Sequence, residues 1–168
     1  MEANSDSANG DVEARAKAAL AVVRTALGKL DLTPQPVDGV DAYFVDFDDE
    51  RFEGAVAQVV STQSRFAFYI DFKEHATSAT APASIEFITR ANNGLLIGNF
   101  EFDIQDGVVR LKSSLDYTGL DLSERLVENA VRGALEVGTV YGWELVNVLR
   151  GTKRAEDAIA DAERESNV

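Results

Sequence analysis

Residues 65–73 read Arg-Phe-Ala-Phe-Tyr-Ile-Asp-Phe-Lys, and no other stretch constrains the fold as strongly. Side chains of a strand alternate between its two faces. Phe66, Phe68, Ile70 and Phe72 therefore share one face, and Ala67, Tyr69, Asp71 and Lys73 share the other. Such a strand needs a cover over its aromatic side, while its mixed side tolerates water. The pattern recurs. In residues 98–104 Phe100, Phe102 and Ile104 point inward while Glu101 and Asp103 point outward. In residues 109–117 Val109, Leu111, Ser113, Leu115 and Tyr117 alternate with Arg110, Lys112, Ser114 and Asp116. Residues 54–61 split Ala55, Ala57 and Val59 from Val56, Gln58 and Val60, and a first strand is read over residues 41–47. Apolar-in, charged-out strands belong to an antiparallel sheet with one solvated face.

Three helices supply the cover. Asp11 caps a stretch reaching Leu30, with Val12, Ala16, Ala19, Leu20, Val23, Leu27 and Leu30 at helical spacing. Pro34 and Pro36 make residues 31–39 a connector. Pro82 suits the start of a short helix, and Asn92, Asn93 and Gly94 supply a stop. Asp121 and Glu124 have capping-box spacing before a long helix that reaches Arg150. The expected architecture is a two-layer α+β domain of order αβββαββα, with a five-stranded antiparallel sheet and helices on one face. Its expected limits are a disordered arm over residues 1–10, a single domain over 11–151, and a charged, Ala-rich tail over 152–168.

Charge and residue inventory narrow the function. The 29 acids exceed the 16 bases, a formal charge of −13, and no segment is basic. A surface tracking phosphates is therefore not expected, so no nucleic acid partner is, and attachment to anionic lipid is disfavoured. No secretory leader and no run of 18 apolar residues is visible, and with no Cys a cytoplasmic protein is expected. The absence of Cys also excludes disulfides, thiol catalysis, zinc-finger sites and Fe–S clusters. His75 is the single histidine, at a strand end beside Asp71 and Glu74, so a multi-histidine metal site is excluded. Asp46, Asp48, Asp49 and Glu50 lack the spacing of a calcium loop and read as a solvated turn. No Gly-x-Ser-x-Gly elbow occurs. Neither cofactor nor metal nor catalytic residue is expected, and the chain does not read as an enzyme. The alternative, a small-molecule or hydrolytic site in the sheet concavity, needs a deep pocket with converging polar groups.

Residues of another kind stand out as contacts for a partner or a second copy. Phe87 falls off the Ile85–Ile88–Asn92 side of its helix, and is a contact unless the helix rotates to bury it; Tyr69 falls opposite the Phe66–Phe72 row. Gly138 and Gly142, four apart inside the long helix, mark close approach of another backbone from the same chain or from a partner. Trp143 beside them is a core or interface aromatic.

One further likeness runs through residues 93–103, Asn-Gly-Leu-Leu-Ile-Gly-Asn-Phe-Glu-Phe-Asp, and residues 107–112, Gly-Val-Val-Arg-Leu-Lys. A helix ending in Asn, a Gly before an alternating strand, a tight hairpin, a basic-alternating strand and a long helix follow in order. This stretch resembles the YbjN family, bacterial proteins labelled sensory transduction regulators. The resemblance implies a fold similar to class I type III secretion chaperones: small, often dimeric, without an active site. It implies a non-enzymatic protein-binding or chaperone-like regulatory role, a homodimer, and an unidentified protein or peptide partner.

Overall fold

The computed structural model describes residues 3–165, with side chains from Val12 to Arg164. In chain order it holds α1 (Ala3–Lys29), β1 (Pro34–Pro36), β2 (Ala42–Val45), β3 (Phe52–Val60), β4 (Arg65–Phe72), α2 (Ala81–Gly94), β5 (Asn99–Phe102), β6 (Val109–Asp116), α3 (Glu124–Leu149) and α4 (Ala155–Glu165). The strands form one antiparallel sheet of order β1-β2-β3-β4-β6-β5, with helices over one face.

The sheet has six strands, not five. The extra one is β1, inside residues 31–39, which the prolines mark as a connector. Its position at the sheet edge accommodates both prolines. Gln35 and Val37 face β2, so the two residues without an N–H occupy the positions that face away.

β4 sits at the centre as its alternation requires. Phe66, Phe68, Ile70 and Phe72 are fully buried and share one core with Ala55, Ala57, Val59, Phe100, Val109 and Leu111. α3 lies across this side, burying Val127, Val131, Ala134, Gly138, Tyr141 and Leu145. Its start is set by Ser123, whose hydroxyl accepts the Leu126 N–H at 3.3 Å, rather than by Asp121. β5 ends at Phe102, before Ile104. That residue, expected inward, enters the hairpin turn closed by the Gly107 N–H to Asp103 carbonyl bond, and is 81% exposed.

Both ends of the chain carry more helix than expected. α1 begins at Ala3, so residues 3–10, read as an unstructured arm, continue the helix; Met1 and Glu2 lie outside the described residues. The expected tail contains α4, a docked helix. Ala155, Ala158, Ile159 and Ala162 follow the i, i+3, i+4, i+7 rhythm and are buried against the common core. Lys153 anchors the α3–α4 junction with ion pairs to Glu144 at 2.6 Å and Asp161 at 2.5 Å.

Candidate protein-interaction surfaces

The face of the sheet opposite the helices carries Tyr69. Strand register places Phe44, Val56, Tyr69, Lys112 and Asn99 in one row across β2, β3, β4, β6 and β5. The neighbouring row holds Gly54, Asp71, Arg110 and Glu101. The Phe44 ring lies over Gly54, close enough that a Cβ there would stand 2.5 Å from it. The Arg110 guanidinium stacks 4.9 Å above the Tyr69 ring and donates from Nε to Glu101 at 2.9 Å, while Lys112 pairs with the same carboxylate. This face is therefore half-buried aromatic surface laced with charges of both signs.

Asp71 is the strained member of the row. Burial raises its pKa; Arg110 opposes the shift, and Glu53 adds to it. A raised folded pKa means that the ionised carboxylate is less favourable in the folded chain than in the unfolded one. Stability then falls as pH climbs from the ordinary aspartate range through the folded value. Asp71→Asn is expected to melt above the wild-type protein at pH 7 and to match it below about pH 3, under the ordinary aspartate value. Calorimetry across that range checks the sign; a variant that melts lower at pH 7 would contradict it.

The two helix glycines have partners within the chain. A Cβ on Gly138 would stand 3.2 Å from the Phe52 ring, and one on Gly142 would stand 2.9 Å from Arg51 Nη1. They form a notch in α3 that admits both side chains. Arg51 donates to Asp49 from Nε at 2.9 Å and from Nη2 at 2.7 Å, and to the Gly138 carbonyl from Nη1 at 2.9 Å. Its guanidinium lies 4.6 Å from the Phe52 ring centroid and 5.6 Å from that of Trp143. These hydrogen bonds hold the Asp49 carboxyl below its usual range. Trp143 itself is exposed.

Phe87 is not at the surface. It is fully buried, with its ring centroid 6.4 Å from those of both Phe100 and Tyr141. α2 is rotated relative to the expected side and buries Ser84, Phe87, Ile88 and Ala91, because it packs against α3, α4 and β5 together. Ile85 is exposed in its place.

A second surface lies between the Gly94 stop and the strand from residue 98, where the sequence singles out no contact residue. Leu96 is 100% exposed and Ile97 61% exposed, both in the loop between α2 and β5. Ile97 packs toward Gly133, where a Cβ would stand 3.4 Å from its methyl carbon. Leu95, Leu96, Ile97, Val137, Val140 and Tyr141 line a groove of about 330 Å³ against α3. The available signal was a Leu-Leu-Ile run lying outside any strand alternation.

Both sheet edges obstruct an added strand. β1 carries two prolines. On β5, the Asn92 side chain accepts the Phe100 N–H at 2.7 Å and donates to the Phe100 carbonyl at 3.0 Å, occupying backbone groups that face away from β6.

Among the described residues no three carboxylate or imidazole groups converge to hold a metal, and His75 is exposed at its strand end. Among them, too, no helix is long and apolar enough to cross a membrane.

No family model and no curated protein matches the chain. Solved structures do. YbjN from E. coli superposes with a TM-score of 0.58 at 18% identity, over 70% of this chain and 84% of that one. The ExsC–ExsE complex gives 0.53 at 15% identity, over 75% and 92%. The Yersinia pestis type III secretion chaperone SycH, in complex with a YscM2 fragment, gives 0.48 at 12% identity, over 71% and 95%. The first two fix the architecture. This chain has the YbjN-like fold that the sequence resemblance implied.

Proposed function

We propose that this chain is a non-enzymatic protein-binding domain of chaperone-like type, cytoplasmic and homodimeric. The observation that supports it most is the fold, shared with YbjN and with a structure that is itself a complex of two different proteins, ExsC with ExsE. Two half-apolar surfaces that no element of the described chain covers agree with it: the sheet face around Tyr69 and the groove beside Leu96. The excess of 29 acids over 16 bases favours a protein partner over nucleic acid. The sheet face, where Arg110 and Lys112 alternate with Asp71 and Glu101, suits contact between two copies because each sign finds its opposite.

Light scattering on the purified chain tests the assembly. A dimer that Tyr69→Asp converts to a monomer is expected; a wild-type monomer at high concentration would remove the homodimer from the proposal. A photo-crosslinking amino acid placed at Tyr69 or at Leu96 tests the binding role in the source cell. Protein adducts at one or both positions are expected, and none at either would overturn it.

A further inference from the structure

Resting on the protein-binding reading, we propose that the groove between the Leu95–Ile97 loop and α3 receives a short amphipathic helical segment of another protein, with apolar anchors flanked by Lys or Arg. Three independent observations carry this.

The first is the cost of leaving the groove empty. Leu96 and Ile97 hold large apolar side chains in water, at 100% and 61% exposure, while Leu95, Val137, Val140 and Tyr141 continue the apolar lining. From Gly133 to Val140 the floor runs two turns of helix, about 10 Å. That length accepts two anchors spaced three or four residues apart on a docked helix.

The second is charge. Glu136 is the one charged residue in the lining, and no Lys or Arg lines the groove. The nearest base along α3 is Arg132, one turn earlier and outside the lining. Among the described residues no ion pair joins it or any other base to Glu136, which is exposed. Tyr141, also in the lining, has its hydroxyl held above its ordinary pKa by burial and, second, by the negative charge of Glu163. A second copy of the chain supplies the wrong sign. A two-fold contact here would bring a second Glu136 to the same place, on subunits of −13 each. The sheet face, where both signs alternate, does not share this defect. The groove's charge selects a basic occupant.

The third is the closure of the alternative route. Pro34 and Pro36 on one edge, and Asn92 bonded to Phe100 on the other, obstruct strand addition. A peptide that cannot extend the sheet is left with a side-chain groove.

The chain reports on this site by itself. Trp143, its single tryptophan, is exposed on α3 one turn past Val140 and about 60° further round the helix. A phage library of random dodecapeptides is panned against the full-length protein and against L96S/I97S, whose exposed substitutions leave the core intact. Expected are peptides enriched on the wild type alone, carrying two large apolar residues three or four apart and neighbouring Lys or Arg. The synthetic consensus peptide should shift Trp143 emission saturably. E136K, melting as the wild type does, should weaken it about tenfold. Peptides that bind wild type and L96S/I97S alike would overturn the groove and leave the protein-binding reading standing. No peptide on either would overturn both. A consensus without basic residues, full affinity in E136K, or a homodimer broken by L96S/I97S would each overturn the proposed occupant.

Discussion

Phe72→Ala is expected to lower the free energy of unfolding by about 3–5 kcal/mol, measured by urea denaturation. Phe72 is fully buried, with the Phe52 ring 5.0 Å away edge-on at 74° and the Phe100 ring 6.2 Å away. The cost extends past the lost transfer energy because the void cannot close. Phe52 is held from behind by the Gly138–Gly142 notch in α3, and Phe100 by Asn92 through its backbone. A domain of this kind has about 5–15 kcal/mol in total, so the variant uses a large share of it. Leu96→Ala, at a fully exposed side chain, serves as the control and should change little. A Phe72→Ala loss below about 1 kcal/mol would mean that the aromatic row is not the centre of the core.

Gly107→Ala is the second large effect, expected at about 3 kcal/mol from backbone strain plus one weakened hydrogen bond. Gly107 has φ of +74°, and a Cβ there would stand 2.1 Å from the Ala76 carbonyl oxygen. That neighbour is backbone, so no rotamer change relieves the clash. Ala76 also donates its N–H to the Gly107 carbonyl at 2.9 Å, which ties the loop after β4 to the β5–β6 hairpin. Gly119→Ala separates the two contributions. Gly119 has a similar φ, +79°, but nothing lies within 4 Å of its added Cβ, so it carries the conformational cost alone. Equal melting temperatures for the two variants would show that the clash at Ala76 is relieved by movement of the loop.

The candidate surfaces were legible in unequal measure. Tyr69 was placed on the open face by parity alone, because strand geometry assigns a face to each residue once any one is fixed. Phe87 was not decided that way. Ser84, Phe87, Ile88 and Ala91 form a helical stripe as regular as the Ile85–Ile88–Asn92 side, so periodicity leaves both orientations open. Which side of a short helix turns inward depends on its neighbours, and α2 meets α3, α4 and β5 at once. Gly138 and Gly142 announced a close approach without naming what approaches; Phe52 and Arg51, some 90 residues earlier, fill the space. Leu96 and Ile97 gave the least warning, since apolar residues beside Gly read equally well as the buried start of a strand.

The sequence by itself determined the faces of the sheet, the helix lengths within a turn or two, and the α+β layering. All of these follow from local periodicities of two and 3.6 residues, which the chain carries wherever it goes. The tertiary structure decided that a proline pair could join the sheet, that the Ala-rich end would dock as α4, and that a Leu-Ile pair would stay in water. Each of those outcomes turns on what lies next to a segment in space. An edge position relieves the prolines of their missing donors, a neighbouring apolar face buries three alanines and Ile159 of α4, and the lack of one leaves Leu96 bare.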